Sequence, residues 1–309
     1  MPVHLATAAR PTIRLAATSV AVSLLGIVGL RPAPYAKRLP VCVTQYRGLH
    51  SFTDCLLSNQ LTNSLSKSGT RPHLLQPQQQ QESQFFFMAS PQAPAVIQPT
   101  KQHTATVIFL HGLGDTGNGW SPVFQNMVRS PNIKYICPHA PTRPVTINMG
   151  MQMPAWFDIT GLSIDSKEDE AGIKESAKQV HSMLDAEIAA GIPSERIMLG
   201  GFSMGGALAL YSAYTYNKKL AGIVALSSFI VLRNQIPSAD TPNREIPMFQ
   251  GHGDVDPLVA LPFAQATHKI IKEFNPNAIF KLYSGMGHSA CDKELHDIKE
   301  FLDKTLPTK

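Results

Sequence analysis

One stretch of the chain, residues 196–211, limits the folds open to it more than any other feature. The apolar run at 197–199 is typical of a buried strand, and the alanines and leucines from 207 onwards favour a helix. Between them lies Gly201-Phe202-Ser203-Met204-Gly205, which has the G-x-S-x-G form of a nucleophile elbow. The pattern predicts a sharp strand–turn–helix unit whose glycines avoid a clash and whose serine lies at a helix N-terminus, where negative charge is favoured.

The motif is weak evidence when it stands alone. Glycine and serine are common residues, so three fixed positions are matched by chance in many chains. The strand before the motif and the helix after it are the context that a nucleophile elbow requires. A catalytic serine also needs a general base and an acid that orients the base, and the rest of the chain has to supply both.

Charge divides the chain near residue 93. Residues 1–93 carry eight basic and two acidic side chains, whereas the remainder carries nineteen basic and twenty acidic ones. The overall charge of +5 therefore comes from the first part, and the second part lacks the basic footprint of a nucleic-acid-binding domain. We predict a globular domain over residues 94–309 and no nucleic-acid partner.

The first 93 residues are predicted to be a disordered or targeting extension. They are poor in acids and rich in serine, threonine and proline, with a glutamine-rich run at 76–81, so they offer little apolar surface for a core. The apolar run at 15–30 fits a signal-peptide core, a membrane anchor or part of an organellar transit peptide. An internal start at Met88 is a further alternative. We expect a cytoplasmic protein, or a mitochondrial or membrane-tethered one if the extension is a transit peptide or an anchor.

Cysteine usage indicates a reducing compartment. None of the cysteines lies in a C-x-x-C motif or a histidine-rich segment, so neither a zinc site nor a disulfide framework is expected. We expect no metal and no cofactor. The chain has four cysteines, at Cys42, Cys55, Cys137 and Cys291.

Strand-like and helix-like segments alternate through the globular part, which predicts an α/β fold with a mostly parallel central sheet and helices on both faces. Besides the elbow, strands are predicted at 104–110, 134–137, 221–226, 247–250 and 278–283. Helices are predicted at 121–129, 168–190, 258–274 and 292–306. Residues 138–166 are predicted to be irregular, because they contain four prolines. Their methionines and aromatic residues favour either a wall for an apolar substrate or a loop that packs on the core.

Two strand ends carry the partners that Ser203 requires, in the chain order serine, acid, histidine that α/β-hydrolases use. His288 follows the last predicted strand and would act as general base and then general acid. Asp254 and Asp256 both follow the preceding strand. Asp256 is favoured as the orienting acid because Pro257 fixes the turn beside it, while Asp254 and His252 fit hydrogen-bonding roles in the same loop.

An oxyanion hole needs two backbone N–H groups near the nucleophile. One is expected from Met204, which follows the serine directly. The other is expected from the glycine-rich loop after the first predicted strand, His111-Gly112-Leu113-Gly114, and Leu113 is the predicted donor.

With these residues placed, the chain resembles the acyl-protein thioesterase and lysophospholipase family of small α/β-hydrolases, from about residue 106 to residue 307. Eight segments in the same order carry the resemblance, which makes it far more specific than the elbow alone. They are VIFLHGLGDTGNGW, KYICPHAPTRPVTINMG, WFDITGLS, EDEAGIK, GIPSERI, LGGFSMGGALALY, HGDVDPLV and GMGHS.

The resemblance implies the α/β-hydrolase fold and a triad of Ser203, Asp256 and His288, with Leu113 and Met204 as oxyanion donors. It also implies hydrolysis of acyl thioesters on cysteines of S-acylated peripheral membrane proteins, and of lysophospholipids. Transient contact with a membrane surface is expected for an enzyme with such substrates. Association into a weak homodimer is an alternative to a monomer. Residues 138–166 would then help to wall an acyl channel.

The chain departs from the family pattern at two places. Met204 stands where glutamine is common, which keeps the backbone N–H but changes the local polarity. Residues 228–231 read Ser-Phe-Ile-Val in place of Cys-Trp-Leu-Pro, which leaves the preferred acyl chain length open. Two alternatives remain: an esterase that acts only on lipids or small esters, and a non-catalytic lipid-binding protein of the same fold.

Overall fold

The computed structural model describes residues 92–161 and 166–308. The extension predicted over residues 1–93 lies outside the described residues except for its last two positions, and so do Cys42 and Cys55. Within the described ranges, no helix is both long enough and apolar enough to cross a membrane.

A seven-stranded sheet forms the centre of the domain. Its strands lie in the order first, third, second, sixth, seventh, eighth and ninth along the chain. Only the pair between the first and third strands is antiparallel, and every other adjacent pair in this sheet is parallel. In chain order the strands are β1 (Ala95–Ile97), β2 (Ala105–Leu110), β3 (Ile133–Cys137), β4 (Thr142–Val145), β5 (Met151–Pro154), β6 (Ile197–Phe202), β7 (Gly222–Leu226), β8 (Met248–Gly253) and β9 (Ala278–Tyr283).

Helices cover both faces of this sheet, as predicted. They are α1 (Gly117–Asn126), α2 (Glu170–Ala189), α3 (Met204–Thr215), α4 (Leu261–Lys272) and α5 (Asp292–Thr305). The first hydrophobic core packs α2, α3 and α4 against one face, and a second core packs α1 and α5 against the other. Because α3 lies against the middle of the sheet, ten of its residues besides Met204 are buried, from Gly205 to Tyr214. The predicted mostly parallel α/β architecture is confirmed.

The prediction that residues 138–166 are irregular is wrong for their middle part. There β4 and β5 form an antiparallel hairpin in which Thr142 pairs with Pro154 and Val145 with Met151. Proline is tolerated because a two-stranded ribbon has two open edges, where a missing N–H costs no ladder bond. After the hairpin, Trp156 is buried in the core, so the alternative of core packing holds for that residue.

Candidate active site

The turn between β6 and α3 holds Ser203 in a strained conformation, with φ of 53° and ψ of −121°. The flanking glycines make the turn possible. A Cβ on Gly201 would lie 2.3 Å from the carbonyl carbon of Gly205, and a Cβ on Gly205 would lie 2.2 Å from the carbonyl oxygen of Leu110. The Ser203 N–H donates to the carbonyl of Leu226 at 2.8 Å, which ties the turn to the end of β7. The elbow predicted from the sequence is therefore formed.

The structure brings Ser203, His288 and Asp256 together in one hydrogen-bonded series. His288 Nδ1 lies 2.8 Å from Asp256 Oδ2, and His288 Nε2 lies 3.0 Å from Ser203 Oγ. Since the carboxylate can only accept, Nδ1 carries the proton and Nε2 of the neutral ring accepts from the serine hydroxyl. The ring of Phe202 packs 4.8 Å from the imidazole and limits its rotation. This is the arrangement of a nucleophile, a general base and an orienting acid.

Asp256 is held ionised by its hydrogen bonds. Its side chain is fully shielded from solvent, and burial by itself opposes ionisation. The hydrogen bond from His288, together with those from the N–H groups of Leu258 and Val259 at 2.9 Å, outweighs that penalty and lowers the pKa of Asp256. The carboxylate therefore keeps its charge and its direction toward the histidine.

The neighbouring residues Asp254 and His252 make other contacts. Asp254 Oδ1 accepts the Gly285 N–H at 2.7 Å, which joins the loop after β8 to the loop after β9. His252 is buried and its Nε2 donates to the carbonyl of Val259 at 2.8 Å. The same nitrogen lies 3.8 Å from Asp256 Oδ2. Both residues thus occupy the hydrogen-bonding positions that the sequence predicts for them.

The two predicted oxyanion donors lie on the segments expected for them. Leu113 lies in the loop after β2, and Met204 is the first residue of α3. Within the described part of the chain, no backbone or side-chain acceptor receives the N–H of either residue. The Met204 thioether is buried, and its sulfur lies 3.4 Å from the backbone nitrogen of Trp156. Met204 directly follows Ser203, and a Cβ on Gly112, the residue before Leu113, would lie 3.4 Å from Ser203 Cβ, so both segments lie close to the serine.

Two further residues, Ser228 and Trp156, support the site through contacts that were not identified from the sequence. Ser228 Oγ donates to the Ser203 carbonyl at 2.8 Å. The Trp156 indole N–H donates to the carbonyl of His111 at 2.9 Å, and the two rings lie 5.0 Å apart. Each partner is at least 25 residues away along the chain, so no local pattern could have paired them.

A cavity of about 420 Å³ opens beside the loop that carries Asp256. One part of its wall is apolar and the other part is polar. The apolar part includes Ile173, Phe229, Ile230, Val259, Phe263 and Ile270. The polar part includes Glu168, Asp169 and Arg233. Of the stretch expected to wall an acyl channel, residues 157–161 and Ser166 line this cavity.

Among residues 92–161 and 166–308, no group of three histidine, cysteine, aspartate or glutamate side chains could hold a metal ion. Cys137 and Cys291 are both free thiols.

Comparison with known proteins confirms the resemblance that the sequence motifs predict. The profile of the phospholipase/carboxylesterase family matches residues 91–306. Acyl-protein thioesterase 1 of Neurospora crassa is 44% identical over 226 residues, which cover 69% of this chain and 92% of that protein. Acyl-protein thioesterase 1 of Cryptococcus neoformans is 44% identical over 228 residues, which cover 68% of this chain and 96% of that protein. Among solved structures, acyl-protein thioesterase 2 of Zea mays matches with a TM-score of 0.63 and 34% identity, covering 69% of this chain and 98% of its own.

Proposed function

Because this chain belongs to the phospholipase/carboxylesterase family of α/β-hydrolases, we propose that it hydrolyses long acyl thioesters on protein cysteines. Lysophospholipid esters are its second proposed substrate class. One observation carries the proposal: Ser203, His288 and Asp256 form a hydrogen-bonded series, and Leu258 and Val259, whose N–H groups bond to Asp256, line a partly apolar cavity. The names of the similar thioesterases support the choice of a protein thioester as substrate.

The proposed reaction begins when Ser203 Oγ attacks the thioester carbonyl while His288 Nε2 takes the hydroxyl proton. The N–H groups of Leu113 and Met204 stabilise the oxyanion, and Asp256 stabilises the imidazolium. The carbon–sulfur bond then breaks, and the cysteine sulfur takes the proton from His288, so that the ring is neutral again. A thiolate needs this protonation less than a leaving amine does. Water, with His288 as base, hydrolyses the acyl-enzyme and restores the serine hydroxyl.

The cavity supports a long acyl chain as the group transferred. Its apolar wall continues from Val259, three residues after Asp256, to Phe229 and Ile230 after β7. Each methylene moved from water into such a wall contributes about 0.8 kcal/mol. A chain of many methylenes would therefore gain far more binding energy there than an acetyl group.

Exposed apolar side chains support transient contact with a membrane surface. The hairpin of β4 and β5 carries Met149 and Met151, which are 87% and 53% exposed. Val255, next to Asp256, is 60% exposed. The hairpin is tied to the oxyanion loop, because the Gly114 N–H donates to the carbonyl of Pro154 at 2.8 Å. Apolar residues exposed in this way around a site favour an apolar or interfacial partner.

The free thiols of Cys137 and Cys291 support a cytoplasmic location. The pKa of the Cys137 thiol is raised to about 12 by burial, so this thiol stays protonated and inert. Removal of lipids from proteins at the cytoplasmic face of a membrane fits both observations.

The test is release of palmitate from an S-palmitoylated peptide by the full chain, with Ser203→Ala and with lysophosphatidylcholine as a second substrate. We expect turnover of the thioester that is lost in the variant. Turnover of the lysolipid alone would move the function to lipid metabolism. No turnover of either substrate, together with no labelling by a fluorophosphonate, would leave a non-catalytic lipid-binding protein.

A further inference from the structure

Trp156 contacts both segments that carry the predicted oxyanion donors. Its indole N–H donates to the carbonyl of His111, two residues before Leu113. Its backbone N–H points at the sulfur of Met204, the other donor residue. Trp156 is 1% exposed and its carbonyl accepts a hydrogen bond from the hydroxyl of Ser176 on α2. One buried residue, anchored to a long helix, thus touches both halves of the oxyanion site.

The loop on the β2 side is held through its carbonyl groups. His111 Nδ1 donates to the carbonyl of Gly112 at 2.8 Å, and His111 Nε2 accepts the Ala140 N–H at 3.0 Å. The ring is therefore neutral and fixed in one tautomer, and burial lowers the pKa of His111. The carbonyl of Gly112 and the N–H of Leu113 belong to one planar trans peptide unit. A bond that fixes the direction of the carbonyl therefore fixes the opposite direction of the Leu113 N–H.

The segment that carries Trp156 makes a second hydrogen bond to the loop after β2. The Gly114 N–H donates to the carbonyl of Pro154 at 2.8 Å, so His111 before Leu113 and Gly114 after it are bonded to Trp156 and to the end of β5. Leu113 itself lies between these two bonds with its N–H unused in the described part of the chain. Its position depends on the hydrogen bonds of its neighbours.

We propose that Trp156 is a positioning residue for the hydrolysis proposed above, on which this inference rests. Its indole N–H holds the peptide planes from His111 to Leu113 so that the Leu113 N–H points at the oxygen of the attacked carbonyl. The substitution Trp156→Phe keeps a ring and removes this donor, which leaves a buried carbonyl without its partner. Displacing an oxyanion donor weakens stabilisation of the transition state more than binding of the substrate.

The test compares an oxygen ester with the matching thionoester, whose C=S group accepts hydrogen bonds poorly and draws little benefit from an oxyanion hole. In Trp156→Phe we expect kcat for the ester to fall about 10- to 100-fold with KM little changed. The thionoester should lose much less, so the ratio of the two kcat/KM values falls. A ratio that stays unchanged would overturn the proposal. It would do so if neither substrate loses activity, and also if both lose it equally, which would mark a merely structural role.

The other tryptophan of the chain is the matched control. Trp120 is also buried but packs against Phe109 and Phe202 in the second core. We expect Trp120→Phe to leave the ester-to-thionoester ratio unchanged. If Trp156→Phe does not fold, as judged by circular dichroism, Ser176→Ala decides the matter because it frees the Trp156 carbonyl and keeps the indole. That variant should lower the ratio by a smaller factor, and an unchanged ratio would overturn the proposal.

Failure of the proposed function gives a different result. If the unmodified protein hydrolyses neither ester and does not react with a fluorophosphonate, the hydrolase proposal itself is wrong. If the unmodified protein is active and the ratio does not respond to either variant, only the role of Trp156 is wrong.

Discussion

Asp256 and Asp254 are two residues apart, and their carboxylates bond to different residues of the loop between β9 and α5. Asp256 Oδ2 lies 2.8 Å from His288 Nδ1, whereas Asp254 Oδ1 accepts the backbone N–H of Gly285 at 2.7 Å. One carboxylate orients the ring that contacts Ser203, and the other joins the loops that carry the acid and the base. This difference allows the two to be separated by matched substitutions.

We expect Asp256→Asn to lower kcat by on the order of 10⁴, because the amide would favour the wrong tautomer of His288. Asp254→Asn should stay within a few-fold of the unmodified protein, since its amide oxygen can still accept the Gly285 N–H. Steady-state hydrolysis of a p-nitrophenyl ester measures both. A comparable loss in the two variants would contradict the assignment of Asp256 as the orienting acid.

The elbow could be predicted from the sequence because its constraint is local and steric. Gly201 and Gly205 have no room for a Cβ, and the residues on either side already favour a strand and a helix. The residues alone favour Asp256 over Asp254 because of Pro257, but they do not decide between the two, because both follow β8. Their directions depend on partners at 285 and 288, about thirty positions away.

The hairpin and the support around the oxyanion site could not be predicted for related reasons. Pro144 and Pro154 argue against strands in general, and they are compatible with β4 and β5 only because both of those strands have an open edge. In the sequence, Trp156 is simply an apolar residue. Its role depends on the hydrogen bond from its indole N–H to the carbonyl of His111, which lies 45 positions earlier in the chain. Long-range pairing of this kind leaves no trace in local periodicity.

The close contact between α3 and β2 predicts a large cost for Gly205→Ala. The added Cβ would lie 2.2 Å from the carbonyl oxygen of Leu110 and 2.4 Å from that of His111. Both are backbone atoms in the centre of the domain, so we expect a loss of about 3 kcal/mol or more in the free energy of unfolding. Urea denaturation followed by circular dichroism measures it.

Gly287→Ala is the control for that substitution, because the nearest atom to its Cβ would be Pro257 Cδ at 3.9 Å. It should change the free energy of unfolding by less than about 1 kcal/mol. Equal losses at Gly205 and Gly287 would show that crowding at the elbow is not the cause.

The cavity predicts that acyl chain length can be altered from α4. Ala266 lines the cavity, and Ala266→Phe would fill part of the space next to Phe263 and Ile270. With about 0.8 kcal/mol per methylene excluded, kcat/KM for a sixteen-carbon ester should fall about 10- to 100-fold. The value for a four-carbon ester should not change. Gln265→Phe, at an exposed neighbouring position outside this cavity, is the control, and a loss for both chain lengths would argue against an acyl site here.

The hairpin predicts how the protein would meet a membrane. Replacing both Met149 and Met151 by serine removes two exposed apolar side chains and should weaken binding to phosphatidylcholine vesicles about tenfold. Hydrolysis of a short soluble ester should be unchanged. Met127→Ser, at a residue 40% exposed at the end of α1, is the control. Equal vesicle binding by all three proteins would remove the hairpin from the proposed contact.

The last prediction concerns a buried carboxyl group beneath the strand that leads to Asp256. Glu294 on α5 is fully buried, and within the described residues neither of its carboxyl oxygens has a hydrogen-bond partner. It fits against Gly251 of β8, where a Cβ would lie 2.2 Å from Glu294 Oε1. Burial, with the nearby charge of Asp297, raises the pKa of Glu294 to about 8. The group is therefore neutral in the folded protein at pH 7 and ionised in the unfolded chain.

A carboxyl group whose pKa is higher in the folded state binds more protons there than in the unfolded state between its two pKa values. The free energy of unfolding must then fall as the pH rises through that window, from about 4.5 to about 8. Glu294→Gln removes this dependence, so the stability of the variant relative to the unmodified protein should rise between pH 5 and pH 8, by at most about 4 kcal/mol. Glu175→Gln, at an exposed position of α2 whose ion-pair partner is Lys178, should show a constant difference. Urea titrations across this pH range measure both, and parallel curves for Glu294→Gln and the unmodified protein would mean that the buried carboxyl titrates near its ordinary pKa.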